Sequence, residues 1–285
     1  MEIDEKSFKM EDKKASEYLA DYVKLMREGK TIKDSFAIFV YFLGTPSRIV
    51  KRRFGIYSKP ELIYDVTIKN KDGEFFCGDS WLMTQGAMSD YEPRSRKHIV
   101  LDEGVFIDVG ANIGKYSIII GNRLKNKSEN YGTVVAVEAS NEIFKILREN
   151  IRLNNLTNVI PVNLAASDEE GVSEFYLASE GLGTASSLIE IKQRSKKVKV
   201  KTDTIDNITK RLGIKKVNLI KIDVEGVEIK VLQGAFNILK RDRPKIVFEA
   251  LNKKCFDECG KFLKKFNYKV ERLGPIDFVA EVNSE

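Results

Sequence analysis

The segment "VFIDVGANIGKYS", Val105 to Ser117, narrows the choice of fold more than any other stretch. An apolar run ends on Asp108, and a turn carrying Gly110, Asn112 and Gly114 leads directly into a helix-like stretch. A glycine turn between a buried strand and a helix lets backbone approach a ligand closely. Spacing decides which ligand. A phosphate-cradling loop needs Gly, four residues, then Gly-Lys-Ser/Thr. Here three residues separate Gly110 from Gly114, and Tyr116 follows Lys115, so that pattern is absent. The dinucleotide fingerprint G-x-G-x-x-G fails too, because Asn112 and Lys115 stand where its other glycines belong. What remains is D-x-G-x-N-x-G. Asn112 adopts a left-handed backbone more readily than other non-glycine residues and can replace a middle glycine. Asp108 offers a carboxylate to a cationic group or to the turn amides. A small ligand with an ammonium and a sulfonium suits such a site better than a diphosphate.

From Val105 onward, short apolar runs alternate with helical segments. Strands are expected at "VFIDVG", "TVVAVEA", "VIPVNLA", "NLIKIDV" and "KIVFEA", with helices near 115–126, 141–154, 227–240 and 253–266. That alternation predicts a parallel sheet covered on both faces. An insertion from Val172 to Ile205 reads as extra strands around a Gly/Ser loop, and its "KKVKVK" predicts a solvated edge strand. The chain closes with "YKVERLG" and "DFVAEV", two strands joined by a tight Gly274-Pro275 turn. Upstream, "LIYDVTIKNKDGEFFCG" alternates on both sides of Asp72-Gly73, which predicts a β-hairpin.

Residues 1 to about 55 read as helical. Tyr18, Leu19, Tyr22, Val23 and Met26 form one apolar stripe that ends at Gly29. A second segment, "IKDSFAIFVYFLG", is apolar on most faces and precedes the basic cluster Arg48, Lys51, Arg52 and Arg53. A helix buried against the main domain is expected there; the alternative is contact with a membrane surface or a lipid-linked substrate. The organisation is thus an N-terminal helical region with a hairpin over 1–98, then an α/β domain over 99–285.

The strand "VVAVEAS" ends in Glu138, 28 residues after Gly110 and at the same edge of the sheet. A carboxylate there can accept both ribose hydroxyls of an adenosine, or it can cap the following helix. Composition closes off other chemistries. The single histidine, His98, rules out a paired-histidine metal site, and three scattered cysteines, Cys77, Cys255 and Cys259, cannot form a four-ligand zinc site or a disulfide framework. No apolar run approaches the ~20 residues of a membrane span. Met1 is followed by charged residues rather than an apolar core, so no signal peptide is expected and a reducing cytoplasm is the simplest location. The net charge of +6 is spread along the chain, which permits an anionic partner without requiring one.

Four stretches, "FIDVGANIGKYS", "VVAVEAS", "NLAASDEEGVSEFYL" and "LIKIDVEGVEIKVLQGA", together resemble the FkbM-type S-adenosylmethionine-dependent methyltransferases over roughly residues 100 to 250. The resemblance implies a Rossmann-like class I methyltransferase domain: a seven-stranded, mostly parallel sheet in the order 3-2-1-4-5-7-6, with strand 7 antiparallel. It implies O-methylation of a hydroxyl on a sugar, a lipid-linked saccharide or a natural product. S-adenosylmethionine would then lie along Asp108, Gly110, Ala111, Asn112, Gly114 and Tyr116, with Glu138, Ala139 and Ser140 at the ribose. Asn163, Ala165, Ala166, Ser167 and Asp168 would lie near adenine, Asp168 being the side chain expected to reach N6.

In a sheet of that order the ligand sits where strand order reverses, beyond "FIDVG" and "LIKIDVEG". Asp223 and Glu225 are expected near the transferred methyl, and Glu249, ending "KIVFEA", from the adjacent strand. A carboxylate general base is needed to take the proton of an alcohol acceptor. Asp223 is the first choice and Glu225 the second. No metal is expected, although Asp223 and Glu249 could share a divalent ion. Ser186 and Ser187 in "GTASSL" fall where an acceptor could be gripped. Two alternatives stand beside the small-molecule or glycan acceptor. One is methylation of tRNA, motivated by the positive charge, although "DVEG" replaces the "NPPY"-like segment common in amino-group methyltransferases. The other is a non-catalytic nucleoside-binding scaffold.

Overall fold

The structure is a computed structural model that describes residues 15–45, 47, 61–127, 132–178 and 195–283. The expected basic cluster at 48–53 and the "GTASSL" segment lie outside the described residues. Two helices come first, α1 (Ala15–Glu28) and α2 (Ile32–Leu43). Thr31 and Asp34 form a capping box at the start of α2, and the other carboxylate oxygen of Asp34 accepts from Thr67 N at 2.9 Å. That bond ties α2 to the first strand of a hairpin, β1 (Glu61–Asn70) and β2 (Gly73–Ser80), which pair antiparallel around Lys71-Asp72. Two short helices follow, α3 (Trp81–Gly86) and α4 (Pro93–Arg96). Helix α2 is buried on one face only, through Ala37, Ile38 and Tyr41; Ile32, Phe36, Phe39 and Leu43 on its other face are exposed. A helix buried against the main domain is expected there, and Ala37, Ile38 and Tyr41 do join the core cluster of the sheet. The apolar stripe is wider than the one groove that receives it.

The α/β region runs β3 (Gly104–Val109), α5 (Lys115–Lys125), β4 (Gly132–Glu138), α6 (Asn141–Leu153) and β5 (Val159–Asn163). After an insertion come α7 (Ile205–Arg211) and β9 (Leu219–Ile222), then α8 (Glu228–Gly234), α9 (Phe236–Arg241), β10 (Lys245–Glu249) and α10 (Lys253–Lys264). The strands β11 (Tyr268–Arg272) and β12 (Asp277–Val282) end it. These strands make one seven-stranded sheet in the order β11-β12-β10-β9-β3-β4-β5. All neighbours from β5 to β10 are parallel, and β12 alone runs against them, pairing antiparallel with both β10 and β11. The sheet is therefore mixed but mostly parallel, as the βαβ alternation requires.

Successive strand residues alternate between two cores. Phe106, Val134 and Leu219 face one side, Ile107, Val135 and Ile220 the other. On the first side the sheet packs against α5 and α6 and, in the same cluster, against Tyr22, Leu25, Ile38, Ile68, Phe75 and Trp81 of the N-terminal region. On the second side it packs against α7, α8, α9 and α10. Burial on both faces is why these strands read as continuous apolar runs.

The insertion forms a separate small sheet of β7 (Gly171–Ala178) and β8 (Ser195–Asp203), joined by β6 (Ala165–Ala166), which precedes it and takes the end of the expected strand "VIPVNLA". Strand β8 pairs with β7 throughout, whereas β6 meets it only at Thr202 and Asp203. Its Lys197, Lys199 and Lys201 are exposed, but β8 is the middle strand of this sheet rather than the edge its alternate lysines predict, because β6 pairs with its last two residues on the side away from β7. One helix was expected over 227–240; two occur, broken at Ala235. There a Cβ on Gly234 would stand 2.0 Å from Ser167 O, so the break sits where the chain crosses the small sheet.

Candidate functional site

The glycine turn is built against the end of β4. Gly110 N and Ala111 N both donate to Val137 O, at 3.0 and 2.9 Å, and Asn112 N donates to Glu138 Oε2 at 2.9 Å. Asn112 has φ 53° and closes its own turn, its Oδ1 accepting from Ile113 N at 2.8 Å. Gly110, at φ 77°, is required twice over: a Cβ there would lie 1.8 Å from the carbonyl oxygen of Asp223. The first amides of the turn are therefore spent on β4 rather than aimed at a ligand, and the small size of Gly110 serves the contact with the 223–227 turn. Asp108 does not bind the turn amides. Its Oδ2 accepts from Ser117 Oγ at 2.6 Å, and its Oδ1 is buried without a hydrogen-bond partner.

Opposite stands the turn after β9. Asp223 N donates to Val109 O at 3.0 Å, which sets the two strand ends side by side. Glu225 and Gly226 both have positive φ, 55° and 104°. For Glu225 this is an unfavoured backbone, held in place by its neighbours. Glu228 supplies the brace: its Oε1 accepts from Gly226 N at 2.8 Å and its Oε2 from Cys255 Sγ at 3.0 Å.

The electrostatics are dominated by Lys221. It is buried in the middle of β9, 2.9 Å from Asp223 Oδ2 and 5.2 Å from the centre of the Tyr116 ring. Burial alone would push its ammonium toward neutrality. The charges of Asp223, Glu92, Asp108 and Glu249 outweigh it and hold Lys221 protonated well above its ordinary range. The acids respond oppositely. Burial first, then repulsion from Asp223, raises Asp108, Glu92 and Glu249, although Lys221 pulls each back. Glu225 is pushed up to about 7 by burial and by the charges of Asp223 and Glu228. Glu138 also rises to about 7, through burial, against the two amides it accepts.

Two adjoining cavities open between the turns. The first, about 640 Å³ to its open mouth, has apolar walls from Val137, Ile143, Leu164, Ala165 and Ala166, with Glu138 and Ala139 at one side. The second, about 660 Å³ on the same measure, is lined by Asp108, Ala111, Tyr116, Lys221 and Glu249 and roofed by Leu82, Met83, Tyr91 and Glu92 from the N-terminal region. Gly110, Asn112, Asp223 and Glu225 line both and form the wall between them.

Of the residues expected from sequence, Asp108, Ala111 and Tyr116 thus face the second cavity rather than the first. Gly114, Ser140, Asn163, Ser167 and Asp168 line neither. Gly114 opens α5, and Ser140 caps α6 by accepting from Ile143 N. Asn163 Nδ2 donates to Glu138 O at 2.9 Å, and Ser167 Oγ donates to Asp168, which also faces Lys230 at 3.6 Å. These residues shape the walls. Among the described residues no group of three or more His, Cys, Asp or Glu side chains is arranged to hold a metal ion.

Sequence reading missed Lys221, Tyr91 and Glu92. Lys221 had a signal, a lone charge inside the buried run "NLIKIDV", because an unpaired lysine is almost never buried. Tyr91 and Glu92 had none, since "DYEPRSR" carries no periodic pattern.

The profile of the methyltransferase FkbM domain matches residues 108–270. Among curated proteins, the chain is similar to Methyltransferase 1 of Beauveria bassiana, 26% identical over 151 residues, covering 47% of this chain and 59% of that protein. It is also similar to the hexuronic acid methyltransferase AglP of Haloferax volcanii, 29% identical over 142 residues, covering 49% of this chain and 53% of that protein. A crystal structure of methyltransferase FkbM from Methylobacillus flagellatus superposes with a TM-score of 0.47 at 12% identity, covering 93% of this chain and 59% of that one. In all three cases less than two thirds of the relative's own length is spanned.

Proposed function

The chain belongs to the methyltransferase FkbM domain family, and from that premise we propose that it moves a methyl group from S-adenosylmethionine to a hydroxyl of a sugar, a lipid-linked saccharide or a small natural product. The observation that carries this reading is the pair of cavities sharing one wall, Gly110 and Asn112 on one strand end, Asp223 and Glu225 on the other. The first cavity fits an adenosyl group. Its apolar walls suit a purine. Each oxygen of Glu138 accepts one amide, which leaves a second lone pair on each for a ribose hydroxyl. The cofactor, bound there, would supply an electrophilic methyl at the shared wall.

The chain's own residues then have separate tasks. The second cavity holds the acceptor oxygen in line with the methyl, and such positioning is worth about 7–11 kcal/mol of barrier. Asp223, paired with Lys221, is a fixed anion that orients the site. Glu225, raised to about 7, is the better general base, because its proton affinity matches working pH. Three buried free thiols, Cys77, Cys255 and Cys259, fit a reducing, cytoplasmic setting. Among the described residues no helix is long and apolar enough to cross a membrane.

Thermal unfolding with S-adenosylhomocysteine, beside NAD as control, tests the cofactor. At ~100 times its dissociation constant the adenosyl ligand should stabilise the native protein by about 2.7 kcal/mol. Glu138→Ala should abolish the response. An equal shift with NAD, or none with either ligand, would refute the reading.

A further inference from the structure

We infer that the outer face of α2 docks on an anionic lipid surface. Ile32, Phe36, Phe39 and Leu43 recur at i, i+4, i+7 and i+11, so they form one stripe along the helix. All four are exposed, Ile32 by 90% and Leu43 by 60%. Large apolar side chains exposed in one contiguous row mark a contact surface, whereas single ones need no explanation. The helix is held so as to present that row. Its inner face is fixed in the core by Ala37, Ile38 and Tyr41, and its start by the capping box. Tyr18 and Leu19 of α1 are about half exposed as well, and Tyr22, one turn on, has its ring centre 4.9 Å from that of Phe42. With 12 residues, α2 is about 18 Å long. That is too short to cross a bilayer but suits a helix lying in its surface.

Charge selects the occupant. The one exposed charge on α2 is Lys33, whose ammonium lies 5.2 Å from the centre of the exposed Tyr64 ring. Its one carboxylate, Asp34, is turned inward and accepts from Thr67 N. From Ser35 to Pro60 the sequence holds no Asp or Glu and five cations, Arg48, Lys51, Arg52, Arg53 and Lys59. The first four follow within six residues of Ser47, so chain length alone keeps them within about 22 Å of it. An apolar stripe with no exposed carboxylate on its helix and a basic run after it matches an anionic bilayer. Acyl chains take the stripe, and headgroups take the cations. A second copy fits less well, because a two-fold contact through this face would bring the same basic run against itself. Trp81, stacked on the inward-facing Tyr41, leads into Leu82 and Met83 of the second cavity's roof, so the docking helix backs that roof. The docking stands without the methyltransferase reading; joined to it, it favours the lipid-linked saccharide among the proposed acceptors.

The test is flotation of the full chain with vesicles of phosphatidylcholine, with and without phosphatidylglycerol. Vesicles containing phosphatidylglycerol should bind at least about tenfold more tightly, and added salt should weaken that binding. The double variant Phe36→Ser, Phe39→Ser should lose at least about tenfold in affinity with an unchanged unfolding midpoint. Should that variant unfold, Ile32→Ser alone, at the most exposed position of the stripe, should still weaken binding several-fold. No flotation with either vesicle, or equal binding to both, would overturn the inference. So would full binding by folded serine variants, which would move the contact elsewhere on the molecule. A concentration-dependent dimer in light scattering, abolished by Phe36→Ser and unaffected by lipid, would give the face to a second copy instead.

Discussion

Glu225 shows how much of a residue's chemistry comes from its surroundings. A glutamate with an ordinary proton affinity would be a weak base at neutral pH; burial beside Asp223 and Glu228 raises this one to about 7. The proposed role makes a signed prediction. The methyl-transfer rate should climb through about pH 7 and level off above it, where Glu225 is ionised. Glu225→Gln should lower the plateau by about 10²–10⁴-fold. Stability should move the other way. A raised folded-state value means that the contribution is fully present below the ordinary glutamate range and is lost as pH rises toward about 7. Glu225→Gln should therefore flatten the slope of unfolding free energy over that interval, and an unchanged slope would count against the raised affinity. The position of Glu225, after a strand and next to Asp223, was legible in "KIDVEG". Its left-handed backbone and its standing ahead of Asp223 as base were not, because the first needs Glu228 held by Cys255 and the second needs the burial that only the folded chain provides.

Among the elements, the hairpin matters through its turn. Asp72 lies between β1 and β2 and meets Arg96, which donates from Nη1 at 2.6 Å, and Lys115, the first residue of α5. The segment that roofs the second cavity is thereby fastened to the helix that follows the glycine turn. Burial acts to raise Asp72, but hydrogen bonding from Arg96 and the charge of Lys115 overcome it and hold the carboxyl below its usual range. Replacing Asp72 by Asn leaves Lys115 buried without its counter-charge, which should cost about 3–5 kcal/mol in urea unfolding at pH 7. A depressed carboxylate stabilises above its unfolded value and loses that contribution as pH falls. The gap between wild type and variant should therefore close below the ordinary aspartate range. A gap that persists there would mean that lost packing, not charge, explains the variant. The hairpin itself was readable from alternation around Asp72-Gly73. That its turn would grip Lys115, 43 residues on, was not, since nothing in local periodicity reports a distant partner.

For the molecule as a whole, the first core joins the N-terminal region to the sheet. Trp81 stacks against both Tyr22 and Tyr41, ring centres 4.6 Å from each, in the same cluster as Phe106, Ile118 and Val134. Removing residues 1–98 would expose that side of the sheet and its helices. The shortened chain should lose its near-ultraviolet circular dichroism and slow amide exchange, whereas cooperative unfolding would mark residues 99–285 as autonomous. The sequence could announce strands, helices and the glycine turn because periodicity and turn chemistry act within a few residues. It could place Glu138, Asp223 and Glu249 at strand ends for the same reason, the end of an apolar run being visible in the chain. It could not show that Asp108 faces the second cavity, that Lys221 stays charged among four acids, or that Tyr91 and Glu92 close the roof. Those facts arise when β3 and β9 lie side by side and the N-terminal region folds over them, bringing together groups that only long-range packing makes neighbours.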